Sequence, residues 1–118
     1  MPYLLLILEE RDRRAGRPPE VAQREMDRML GFAADLKRRG VCTAAESLKS
    51  LRDGVRVGAR GGKPVVLDGP FAEAKEIVGG FFLLDVATRD EAVAIARECP
   101  AAGWATVEVR ELGPCDGE

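Results

Sequence analysis

The densest set of groups able to do chemistry lies in residues 68–80, which read DGPFAEAKEIVGG. Asp68, Glu73 and Glu76 supply carboxylates, Lys75 an ammonium and Phe71 an aromatic face. Two carboxylates in one desolvated site can be driven to different pKa values, so that one gives and the other takes a proton. On that chemistry Glu73 and Asp68 form the candidate catalytic pair. Glu73 leads, because a binding cleft needs a few fixed polar groups among apolar ones. Lys75, which could hold an anion, joins Glu76 and Phe71 as candidate ligand contacts. Glu46, on an expected strand, and Tyr3, the only tyrosine, are further groups able to reach the same cleft. The same letters also have a purely structural meaning. Asp68 suits an Asx turn, Gly69 an unusual backbone angle and Pro70 the opening of a helical turn. Gly79 and Gly80 permit a bulge or the close approach of another strand. Lys75 and Glu76 read equally well as a solvated pair, Glu46 as an exposed strand residue and Tyr3 as part of the core.

The chain has no histidine. That removes the commonest acid–base group near neutral pH and the commonest transition-metal ligand. Three cysteines, Cys42, Cys99 and Cys115, are odd in number and form no CxxC pair, so neither a disulfide framework nor a zinc site is expected. No metal and no cofactor is assigned. A formal net charge of −2 gives no basic face of the kind that displaces phosphate counterions, and nucleic-acid binding is not expected. Arg11, Arg13, Arg14 and Arg17 read as a solvated loop. Lys37, Arg38 and Arg39 sit where a helix would end before Gly40 and complement its dipole. The apolar stretch 4–8 is too short to span a bilayer and lacks the flanks of a signal peptide. A reducing cytoplasm and no membrane partner are expected.

Positioning these groups falls to a small set of elements. Residues 3–8 are continuously apolar and bounded by charge, which predicts a buried strand. Ala22, Met26, Met29, Ala33 and Leu36 recur at helical steps with Leu30 beside them, predicting a helix over 20–39 with the methionines as core filler. A weak strand is expected over 41–48 and a turn at Asp53-Gly54. Residues 55–60 alternate, Gly61-Gly62 makes a tight turn, and 64–67 return as an edge-like arm. Another apolar strand spans 81–86. Thr88 followed by Glu91 marks a helix start and Pro100 its stop, with Cys99 facing the core. Residues 106–112 alternate as a last strand. Asp85 reads as water-facing and Trp104 as a packing residue.

The run Asp68-Gly69-Pro70-Phe71-Ala72-Glu73, with Lys75-Glu76 and then Gly79-Gly80-Phe81, resembles the DGPF branch of the YCII-related family. The likeness extends to the opening strand, the Met26/Met29/Phe32 helix, Glu46-Ser47-Leu48, Val55-Arg56, Asp85-Val86, Asp90-Glu91-Ala92 and residues 107–110. It implies a dimeric α/β-barrel built from two ferredoxin-like sheets. It implies little about activity. DGPF-type members are mostly uncharacterised, many are encoded beside extracytoplasmic-function sigma factors, and some YCII-related members act on small ring compounds. A His–Asp dyad proposed elsewhere in the superfamily has no histidine to fall on here. The branch often carries Thr where Leu67 and Ala74 stand.

The expected architecture is α+β: a ferredoxin-like βαββαβ sheet with an extra hairpin and both helices on one face. Residues 1–113 form one domain and 114–118 a polar tail. Strands 3–8 and 81–84 are apolar on both sides, so the second sheet face needs burial, which a second copy packing sheet to sheet would supply. A homodimer is therefore expected. Two functions compete. One is a small-molecule-binding protein, at its furthest a cofactor-free lyase or isomerase using carboxylates. The other is a regulatory or accessory protein linked to extracytoplasmic-function sigma-factor control.

Overall fold

A computed structural model describes residues 2–115; residues 116–118 of the expected tail lie outside the described residues. Four strands form one antiparallel sheet in the order β2-β5-β1-β6. They are β1 (Pro2–Glu10), β2 (Cys42–Ser47), β5 (Glu76–Asp85) and β6 (Thr106–Glu111). Helix α1 (Pro19–Arg38) joins β1 to β2, and helix α2 (Arg89–Glu98) joins β5 to β6. Strands β3 (Val55–Arg60) and β4 (Lys63–Asp68) form a separate hairpin between β2 and β5. Without the hairpin, the order and pairing are those of a ferredoxin-like sheet.

Strict alternation places Tyr3, Leu5 and Ile7 of β1 on the helix side. Phe82 and Leu84 of β5 join them, as do Val107 and Val109 of β6. Phe32 and Leu36 of α1 and Ala92, Ile95 and Ala96 of α2 close the core from above. The rings of Phe32 and Phe82 meet edge to face at 5.3 Å. Cys99 is buried here too, and burial pushes its thiol pKa up. The Thr88 hydroxyl accepts from the Glu91 amide at 3.2 Å and starts α2. No helix covers the opposite face, where Leu4 and Leu6 lie between Leu83 and Phe81 on one side and Arg110 and Glu108 on the other.

Several local expectations are corrected. Strand β5 begins at Glu76, not 81, because residues 76–80 continue the pairing with β1. Residues 51–53 form a 3-10 turn rather than a simple bend. The buried line of α1 is Glu25, Phe32 and Leu36, while Met26 and Leu30 stay 46% and 60% exposed. The stripe is thus wider than the core seat. Arg13, Arg14 and Arg17 are not a solvated loop; their side chains are each only 23% exposed and all are ion-paired.

Candidate functional site

The C-terminal end of α1 seats Phe32 and Leu36 in the core, while residues from Pro19 to Ala33 line a cavity of about 640 Å³ that the edge strand β2 also lines. Ala22, Met26, Met29, Leu30 and Ala33 form its apolar roof. Ile7, Ala45 and Phe82 lie beneath, and Ala101 and Trp104 line it from the C-terminal part of the chain. The polar floor is built by Glu9 and Arg14. Glu9 takes the next helix-facing position of β1 after Ile7 and is 6% exposed. Its carboxylate accepts from Arg14 Nε at 3.1 Å and Nη2 at 2.7 Å. Arg14 also donates to the carbonyls of Leu48 at 2.6 Å and Gly79 at 3.1 Å. Gly79 is the extra residue of a bulge, since Ile7 pairs with Gly80 and Leu8 with Val78. The Glu9 carboxylate occupies the place a side chain at 79 would take, so only glycine lets the ion pair lie against the sheet.

A second cluster walls the same cavity. Glu25 receives Arg13 at both oxygens, one of them at 2.7 Å, and Arg17 at 2.8 Å. The hydrogen bonds from Arg13, more than those from Arg17, hold the Glu25 carboxyl at about 2, against a desolvation that opposes them. The same bond raises the Arg13 guanidinium. Arg17 Nε is buried without a hydrogen-bond partner. The Arg13 and Arg28 guanidinium groups lie 5.6 and 5.4 Å from the Trp104 ring centroid and frame that edge.

The residues singled out from sequence are dispersed relative to this cavity. Gly79, Gly80 and Glu46 line it, and Tyr3 is 6% exposed in the core. Asp68, Glu73, Lys75 and Glu76 are exposed and do not line it. Asp68 has no side-chain hydrogen bond among the described residues, so the Asx turn is not formed; Pro70 follows a cis peptide rather than opening a helical turn. Phe71 is 4% exposed, with the Arg56 guanidinium 3.8 Å from its ring centroid. Arg11 donates to the Ala72 carbonyl at 2.6 Å, and its amide donates to the Lys75 carbonyl at 3.0 Å. Gly69 donates to the Gly54 carbonyl at 2.8 Å. The segment is therefore tied to the body mainly through its backbone and Phe71. No group of three or more metal-ligating side chains occurs among the described residues.

Sequence reasoning missed Glu9, Arg14, Arg17 and Glu25. The signal was present for two of them. Glu9 continues the parity of Tyr3, Leu5 and Ile7, and Glu25 lies two helical turns before Phe32 on the face that also carries Leu36. No parity marks the arginines, which lie in a loop.

An antiparallel four-stranded sheet in the order β2-β5-β1-β6 with two helices on one face defines an α+β protein of ferredoxin-like fold. The YCII-related domain matches residues 1–115, and the chain belongs to that family. The fold is similar to that of the 5-chloro-2-hydroxyhydroquinone dehydrochlorinase of Burkholderia phenoliruptrix AC1100, solved with 2,5-dihydroxybenzoquinone. That match has a TM-score of 0.50 and 16% identity over 96% of this chain and 94% of that one. An uncharacterised protein of Rhizobium meliloti (strain 1021) is 49% identical over 53 residues, a stretch that spans 43% of each chain. No helix among the described residues is long and apolar enough to cross a membrane.

Proposed function

We propose that the chain binds a small organic molecule in the cavity beneath α1. The carrying observation is the cavity itself: an apolar roof of α1 side chains over a floor that holds one buried, fully engaged ion pair, Glu9–Arg14. Ligand sites combine these two features, apolar surface for affinity and a few fixed polar groups for orientation. The hydrogen bonds from Arg13 hold Glu25 at about 2, which makes it a structural ion-pair partner rather than an acid–base group near neutral pH. The neighbour of like fold holds 2,5-dihydroxybenzoquinone, which makes small hydroxylated rings the first probes. A thermal-shift panel of phenols, hydroquinones and quinones should give a hit for the wild type. Ala22→Phe, which fills the cavity from the helix, should abolish that shift while keeping the unliganded melting temperature close to wild type. If Ala22→Phe binds as well as wild type, and Glu73→Gln melts normally but does not bind, the ligand belongs at the DGPF-like segment instead, with Glu73 and Asp68 as its polar groups.

A second reading is favoured by one observation: Asp68, Glu73, Lys75 and Glu76 are all exposed. Charges presented to solvent at the end of β4, on the segment after it and at the start of β5 suit contact with a macromolecular partner, as in a regulatory or accessory protein of the DGPF branch. The open sheet face supports a homodimer, since Leu4, Leu6, Phe81 and Leu83 lie there with no helix above them. Three unpaired cysteines accord with a reducing, cytoplasmic setting.

A further inference from the structure

The open sheet face is not the only apolar surface left bare. Every residue of β3 and β4 is exposed, and the hairpin packs substantially on no other element. Gly61 and Gly62, both at positive φ, make its tight turn. Its register sets Val57 opposite Val66 and Ala59 opposite Pro64, with Val55 opposite Asp68 at the root. Directly opposed residues share a face, so one face is apolar from Val55 to the turn, with Asp68 its one charge. Arg56, Arg60 and Lys63 lie on the other face, together with Val65 and Leu67. Val55, Val57 and Val66 are 57%, 69% and 66% exposed.

An isolated two-stranded hairpin is marginal in water, yet this one has a firmly built root. Gly69 is bonded to Gly54, Phe71 is buried under Arg56, and a side chain at 69 would collide with the Leu51 carbonyl. Segment 68–72 thus fixes where the arm points. The arm also makes the protomer extended: its radius of gyration is 16.2 Å, whereas a compact chain of this length has about 13.5 Å.

The geometry points to this hairpin being a docking arm whose Val55/Val57/Val66 face packs on a second copy of the chain. The inference rests on the homodimer reading above and adds which element makes the contact. Area argues for it. Four strands about 4.8 Å apart and about 20 Å long present roughly 400 Å². A stable interface takes about 800 Å² from each partner. The sheet face alone therefore supplies about half, and one hairpin face adds roughly 200 Å² more. Charge placement argues against a lipid surface as the occupant. If the valine face entered a bilayer, Asp68 would go with it, and Arg56, Arg60 and Lys63 would point away from the headgroups.

The test is sedimentation equilibrium of the full chain across a concentration series, for wild type, Val57→Lys/Val66→Lys and Arg60→Glu/Lys63→Glu. Circular dichroism checks that each protein is folded. The expected result is a wild-type dimer, a dissociation constant raised at least about 100-fold by the valine pair, and near-wild-type association for the opposite-face pair. Wild-type association of Val57→Lys/Val66→Lys would overturn the arm and leave the dimer standing. A wild type that is monomeric throughout would overturn both. Binding of wild type to phosphatidylcholine–phosphatidylglycerol vesicles, lost in the valine pair, would overturn the second copy as occupant.

Discussion

Glu25 carries the sharpest electrostatic consequence at the scale of single residues. It is held between Arg13 and Arg17, and all three side chains are largely buried. Removing the carboxylate charge leaves two guanidinium groups facing each other in a poorly solvated wall. Glu25→Gln should therefore lower stability by about 3 kcal/mol, as losing one partner of a buried pair does, read from urea unfolding at neutral pH. The pH dependence has a definite sign. The folded-state pKa, about 2, lies below the ordinary 4.5. The ionised form is therefore favoured by folding, and its contribution is complete above the ordinary value. It is lost as pH falls from 4.5 towards 2. Wild type should lose stability more steeply than Glu25→Gln across that window. Parallel acid-dependence curves for the two proteins would remove Glu25 from the linkage.

Among the elements, the hairpin depends on its root more than on its own strands. Gly69 lies against the Leu51 carbonyl, with no room for a side chain. The obstacle is backbone, which cannot swing aside as a flexible side chain would. Gly69→Ala should cost about 2 kcal/mol, in the range of overpacking, measured by thermal melting. Its hydrogen-exchange protection should fall in β3 and β4 before it falls in the four-stranded sheet. Uniform loss of protection in both sheets would mean that the hairpin unfolds with the body rather than as a separate unit.

For the whole molecule, the proposed dimer, built on two apolar surfaces of one flattened protomer of 47 × 43 × 19 Å, would share stability between copies. Folding linked to association makes melting concentration-dependent. The melting temperature should rise measurably over a hundredfold increase in protein concentration, and in Val57→Lys/Val66→Lys the rise should be displaced to about hundredfold higher concentrations. A concentration-independent transition would show that each chain is stable alone. The cavity belongs to this scale too, because α1, β1, β2 and the Arg14 loop each contribute part of its wall.

Element order was legible in the chain because it rests on local periodicity. Alternation in residues 3–7, the Thr88–Glu91 start and the Gly61-Gly62 turn each act over a few residues, and β1, α2 and the β3–β4 hairpin lie near their expected bounds. The resemblance carried by residues 68–81 also placed the chain in its family. What only tertiary structure decided was where the charges went. The arginine loop looked solvated because nothing within its own residues names Glu9 or Glu25 as partners; strand β1 and helix α1 bring those carboxylates to it. The motif looked like the site because it concentrates reactive side chains, yet its tethering is done mainly by its backbone and by Phe71, and its charges face water away from the cavity. The α1 stripe was likewise wider than the core, since periodicity reports which residues are apolar and not how far the sheet extends beneath them. Met26 and Leu30 pass beyond the core seat and roof a cavity instead.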